Sequence, residues 1–219
     1  MKRVVVTILG LLIVPVSASA ETLTADFLRV GNAQAVKVVK NGIGRSVWAG
    51  ELIWNGYDPA PDGFGGDFYS YCVDLITPLE DPQTFEIKSA ASMPVNGAQV
   101  AWLASGYAPA IHSQSGGAAN AMAAGLQLAI WNVLYDNDFT LPSGNLHSSS
   151  LGAASHANAD LAALSAALNA GPPTARAIWL DTDRGQDQVA VSVPEPAVLL
   201  LLGIGLAGIA AGRRRFGIS

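Results

Sequence analysis

Phe68-Tyr69-Ser70-Tyr71-Cys72-Val73-Asp74-Leu75 is dense in aromatic and β-branched side chains and reads as a strand. It holds the single cysteine of a 219-residue chain, so no internal disulfide can form. Working outward, residues 27–30, 35–39, 47–54 and 84–88 read as further strands. They are separated by the turn signals Asn41-Gly42, Asn55-Gly56 and Asp81-Pro82. The Pro- and Gly-rich stretch 58–67 forbids regular structure and leads straight into the cysteine strand, where a loop can form a lip over a site. Composition then turns to Ala, Leu and Gln. Asn96 is placed to cap a short helix over 97–104. A longer helix over 118–135 carries Met122, Leu126, Ile130 and Val133 or Leu134 as its apolar stripe, with Gln127 at the edge. Residues 138–150 read as loop and 155–169 as a third helix. Strands at 176–180 and 188–193 flank the turn Asp181-Thr182-Asp183-Arg184-Gly185. Strands on both sides of a helical insert predict an α+β domain: an antiparallel sheet or small sandwich with an inserted helical subdomain.

The two ends stand apart from that domain. Lys2 and Arg3, an apolar run over 4–14 and the small residues Ser17-Ala18-Ser19-Ala20 read as a secretory signal peptide over 1–20, with the mature ectodomain spanning 21–192. An uncleaved anchor is the alternative, disfavoured because the apolar run is shorter than the roughly 20 residues a bilayer span needs. At the other end come Pro194-Glu195-Pro196, a charge-free run over 197–211, and Arg213-Arg214-Arg215. Arginines directly after an apolar stretch orient it with the domain outside the cytoplasm. Fifteen apolar residues make a short span, suited to a transient inner-membrane anchor. Segment 193–215 resembles the PEP-CTERM sorting signal. That resemblance implies an exosortase as partner, cleavage near the motif, and delivery to the outer surface or extracellular matrix of a Gram-negative bacterium. A plain tail anchor is the alternative. The same tail is carried by proteins of many activities, ice-binding ones among them, so it is an address and not a chemistry.

Residues 21–196 hold seven basic against 17 acidic residues, a formal −10. With the basic residues scattered, nucleic acid and anionic lipid are poor partners, because phosphate contacts need clustered Lys and Arg. No cofactor is called for. His112, His147 and His156 never come at zinc-ligand spacing, and one cysteine makes a Cys/His metal site unsuitable. Asp181, Asp183 and Asp187 gather near a turn but lack the glycine and terminal glutamate of a calcium loop, and Gly63-Phe64-Gly65-Gly66 does not lead from a strand into a helix.

An unpaired thiol in an exported chain asks for a partner. Gln127 offers one: a thiolate can attack a side-chain carboxamide, expel ammonia and leave a thioester. The bland alternative is a buried inert cysteine with a surface glutamine. Asp74 lies two residues from Cys72 along the strand, on the same face, where it is placed to relay the thiol proton; a solvated strand-end carboxylate is the alternative. Trp131, one turn after Gln127, and Tyr69 and Tyr71 beside the thiol are placed to exclude water, or simply to pack the core. A cysteine hydrolase pairing Cys72 with His112 or His147 is a further alternative without a surrounding signature.

Tyr71-Cys72-Val73-Asp74 and Leu126-Gln127-Leu128-Ala129-Ile130-Trp131, some 55 residues apart with Ala101-Trp102-Leu103 between them, resemble the thioester domains of bacterial surface adhesins over residues 48–136. The resemblance implies a Cys72–Gln127 thioester that captures an amine or hydroxyl on a partner surface once, as an adhesin and not as a turnover enzyme. Leu126 stands where that family usually has threonine, which bears on how the carboxamide is polarised. The remaining alternative is a structural surface or matrix protein of the same fold in which the bond is never made.

Overall fold

The computed structural model describes residues 21–57, 64–170 and 176–191. The signal segment, most of the loop before the cysteine strand, and the C-terminal segment with Pro194, Glu195, Pro196 and Arg213 to Arg215 lie outside these residues. Two long strands, β1 (Thr22–Lys40) and β2 (Ile43–Tyr57), form an antiparallel hairpin. The expected turn Asn41-Gly42 joins them with positive φ at both positions (51° and 78°), the geometry whose twist matches flanking strands. The two short strands expected before the turn are one continuous β1, kept in register by irregularities at Phe27/Arg29 and Val30/Ala33. Gly50 sits at the second of these with φ 140°; a Cβ there would stand 2.3 Å from the Asn32 carbonyl oxygen. Asn55-Gly56 is not a turn but lies inside β2, where Gly56 lets the Phe64 carbonyl pass 2.0 Å from where its Cβ would be.

The shorter strands are β3 (Gly66–Cys72), β4 (Gln83–Ser89), β5 (Leu146–Ser148), β6 (Ile178–Asp181) and β7 (Gln188–Ala190). The ladder runs β2-β3-β7-β6-β4-β1, and β1 pairs back onto β2. The expected antiparallel sheet is present, and it closes on itself: six of its strands form a ring. The bent β1 does this by pairing its first residues with β4 on one side and β2 on the other, which removes the exposed edges. Leu23, Ala25, Trp54, Phe68, Phe85, Leu180 and Ala190 fill the interior, with Phe64 at one end.

The helices α1 (Gly97–His112), α2 (Gly117–Tyr135) and α3 (Leu151–Ala170) are inserted between β4 and β6, as expected of a helical insert. Part of the stretch read as loop supplies β5, which pairs with residues 38–40 of β1. It is held there by the Asp136 carboxylate, which accepts the Leu146 N–H. α1 runs a further two turns past Ala104, and the Asn96 side chain does not cap it; its Nδ2 donates to the Val133 carbonyl at the end of α2. α2 is buried continuously from Ala123 to Val133, because the hairpin, α1 and α3 enclose it, so Gln127 is not at the edge of a stripe but fully inside. Gly125 allows α3 to close in: a Cβ there would meet His156 Cβ at 2.5 Å. Among the described residues no helix is long and apolar enough to cross a membrane.

Candidate functional site

Alternation along β3 turns Phe68 and Ser70 toward the barrel interior and Tyr69 and Tyr71 toward the helices, and Cys72, the last residue of the strand, joins the apolar cluster of the helical core. The β3 ladder with β2 stops at Ser70, since β2 bends away at Gly50. Two residues further on, α2 supplies what the strand no longer does. The Cys72 N–H donates to Gln127 Oε1 (2.9 Å) and Gln127 Nε2 donates to the Cys72 carbonyl (2.7 Å), so the carboxamide occupies the place of a neighbouring peptide group. Gln127 is 0% exposed. A buried amide is tolerable only when its donor and acceptor are matched, and here Cys72 matches both. The sequence-chosen pair therefore meets, residue against residue, across the boundary of sheet and helix.

The sulfur has other company. Cys72 Sγ donates to Gln186 Oε1 at 2.9 Å and receives Gln188 Nε2 at 3.9 Å. Gln186 Nε2 donates to the Asp74 carbonyl (2.7 Å), while its own carbonyl takes Gln83 Nε2 (2.8 Å) and Gln188 Nε2 (3.2 Å). The file continues into the barrel: Ser70 Oγ donates to Gln188 Oε1 (3.0 Å) and accepts from Trp54 Nε1 (2.9 Å). Burial pushes the thiol up to about 12, the amide of Gln188 pulling part of the way back and the Asp74 charge adding to the rise. Gln83, Gln186, Gln188 and Ser70 were not singled out from sequence. Isolated polar residues on short strands carry no periodic signal, and only the closure of the ring brings them to the cysteine.

Asp74 comes just after the strand ends, and its carboxylate accepts the Asp187 N–H (3.0 Å), fastening the β6–β7 turn; the thiol proton is held by Gln186. Asp187 accepts from Trp179 Nε1 (3.2 Å) and the Thr182 N–H (2.9 Å), and burial lifts it to about 6. Trp131 is buried in the helical core, 2% exposed. Tyr71 is buried in the same core, its hydroxyl 3.5 Å from Glu51, and burial raises it. Tyr69 stacks on His112 (centroids 4.0 Å), whose Nδ1 lies 3.5 Å from the buried Glu51 carboxylate. His147 Nδ1 lies against the Gly144 carbonyl. Both histidines named for a hydrolase thus have polar neighbours other than the thiol.

A cleft of about 490 Å³ lies between β4 and the β6–β7 turn, walled by Glu80, Glu86, Asp181 and Asp183, with Gln83 in its lining. One glutamine therefore touches both the cleft and the residue that holds the sulfur.

Residues 192–215 match the PEP-CTERM protein-sorting motif. The chain matches no curated protein and no solved structure. The match contains the Pro194-Glu195-Pro196 motif and the arginine cluster, and it gives the chain an exosortase as sorting partner and a route through the membrane to the cell surface.

Proposed function

We propose that this exported surface protein carries an internal thioester between Cys72 and Gln127 and uses it for one covalent capture of an amine or hydroxyl on a partner surface. The observation that carries the reading is the fully buried Gln127 carboxamide, docked by two hydrogen bonds on the main chain of the only cysteine. In forming the bond, Cys72 sulfur adds to the Gln127 carbonyl carbon, the carbon–nitrogen bond breaks, and ammonia leaves with the thiol proton. The Cys72 N–H already points at the oxygen that becomes negative, the position of an oxyanion-hole donor. It supplies the polarisation that Leu126 has no hydroxyl to give. In capture, the partner nucleophile adds to the same carbon, an amide or ester forms, and the thiol returns with the nucleophile's proton. Water is held off by burial: Gln127 is fully inside, and Leu126, Leu128, Ile130 and Trp131 on the same helix belong to the apolar core.

A second reading is favoured by one specific contact: the thiol hydrogen bonds to Gln186 and is strongly stabilised in its neutral form, as suits a structural surface protein in which the bond is never made. Intact mass of the purified ectodomain separates the two. The thioester reading expects a mass short by one ammonia, no titratable thiol until unfolding, and a methylamine adduct at Gln127, all abolished by Cys72→Ala. A full mass with a titratable thiol on unfolding overturns it.

A further inference from the structure

We infer that Gln186 is a positioning residue for the thiol: its carboxamide holds the S–H so that the sulfur's lone pairs are left free to face the Gln127 carbonyl. This rests on the Cys72–Gln127 reading and adds to it a residue from the far end of the chain, 114 positions from the cysteine.

The argument begins with how firmly Gln186 is held. It is 9% exposed, its Nε2 is anchored on the Asp74 carbonyl, and its main-chain oxygen is gripped by two other glutamines. Asp74, through the Asp187 N–H, ties the same turn from the other side. A side chain fixed at both its amide nitrogen and its backbone has its carbonyl oxygen aimed by construction, and that oxygen stands on the sulfur. A thiol has one hydrogen. Once it is committed to Gln186, the sulfur's remaining directions carry lone pairs, and these are what an attack on a carbonyl carbon needs. Gln188, whose Nε2 faces the sulfur, adds a donor that favours negative charge there as the proton departs. An amide oxygen is too weak a base to keep that proton, so it passes to the departing ammonia and Gln186 is unchanged at the end.

The test follows ammonia loss by mass as full-length protein recovered from inclusion bodies, not yet folded and so still carrying the Gln127 amide, folds from denaturant for the first time, in the wild type, Gln186→Leu and Gln186→Glu. Gln186→Leu keeps the volume and removes the acceptor; we expect cyclisation slowed by about tenfold or more. A buried glutamic acid is neutral at pH 5 and reproduces both bonds, its carbonyl accepting the S–H and its hydroxyl donating to the Asp74 carbonyl. Gln186→Glu is therefore expected within about threefold of wild type at pH 5 and far slower at pH 8, where the ionised carboxylate repels the Asp74 oxygen. Loss of cyclisation in Gln186→Leu with no pH-dependent rescue by Gln186→Glu assigns the residue to packing alone and overturns the inference. Equal rates in all three proteins overturn it too, while leaving the thioester reading intact. A methylamine adduct mapped to Gln186 overturns it by making Gln186 the acyl donor. A full-mass wild type removes the thioester reading itself, and this role with it.

Discussion

The docking of Gln127 on the Cys72 main chain makes a prediction that needs no chemistry at the sulfur. In a Cys72→Ala background the main-chain N–H and carbonyl of residue 72 remain and the thiol is gone, so Gln127→Leu tests the two hydrogen bonds alone. Leucine approximates the volume of glutamine but leaves a buried N–H and a buried carbonyl without partners, since β2 no longer runs alongside at this point. An orphaned buried donor or acceptor costs about 1–3 kcal/mol, so the two together cost about 2–6 kcal/mol, and the added apolar surface returns about 1 kcal/mol, which leaves a net loss of roughly 1–5 kcal/mol. For a domain of this size, at about 2–4 °C per kcal/mol, that is a fall in Tm of about 2–20 °C. Urea unfolding followed by tryptophan fluorescence reads it directly, since Trp54 and Trp131 are both buried. The exposed Gln114, changed to leucine, serves as control and is expected to cost less than about 0.5 kcal/mol. A loss at Gln127 no larger than at Gln114 would refute the docking, and with it the placement on which any Cys72–Gln127 bond depends.

Other outcomes are expected elsewhere in the molecule. Burial lifts the Asp160 carboxyl from 3.8 to about 7, so the folded state binds a proton more tightly than the unfolded chain. Its contribution is full below about pH 4 and is lost as pH rises to about 7, and Asp160→Asn is expected to raise stability at pH 8 by roughly 1–4 kcal/mol and to leave it unchanged at pH 3.5, read as Tm against pH. Gly125→Ala forces α2 and α3 apart where a Cβ would meet His156 at 2.5 Å; a loss of about 1–3 kcal/mol in urea unfolding is expected, and no loss would mean that the helices are not so close. Replacing Arg213, Arg214 and Arg215 with serine is expected to stop delivery to the surface, seen as loss of the protein from the extracellular fraction in a host that has the exosortase.

What the sequence made legible, and what it did not, divides along the range of the interactions. The β1–β2 turn at Asn41-Gly42 and the extent of α2 are local matters of backbone preference and apolar spacing, and both were readable. Asn55-Gly56 carries the same local signal as Asn41-Gly42 and is no turn, because Phe64 passes over Gly56 and needs the space. Ring closure was not readable. It depends on β1 bending enough to pair with β4 as well as β2, and the residues that permit it, Gly50 and the irregularity at Val30/Ala33, look like any glycine and any strand end. The site followed the same division. Cys72 and Gln127 stood out by type and by their neighbours, whereas Gln186 and Gln188 belong to the site only because β7 lies beside β3.

The thioester proposed above would have to satisfy two demands that pull apart, and on that reading the burial of Cys72 serves both. Before the bond exists, a thiol lifted to about 12 gives almost no thiolate at neutral pH, so the reaction rests on geometry and on donors fixed beforehand. Once the bond exists, the same burial keeps water from the acyl carbon, and for the same reason a partner nucleophile has no open path. Relief would have to come from a movable wall, and the β6–β7 turn, with Gln83 behind it, separates the cleft from the residue that holds the sulfur. Gln83 lines the acidic cleft on one side and holds the Gln186 carbonyl on the other. The turn is fastened by carboxylates, Asp74 on the Asp187 N–H and Asp187 on the Thr182 N–H and Trp179, and by amides, but by no apolar side chain from residues 182–187 in either core cluster. Segments held by hydrogen bonds without apolar burial open at lower free energy than the core around them. If the proposed bond forms, opening of this turn would give access to the acyl carbon, and the reacting pair, Cys72 and Gln127 on β3 and α2, would stay behind when it opens.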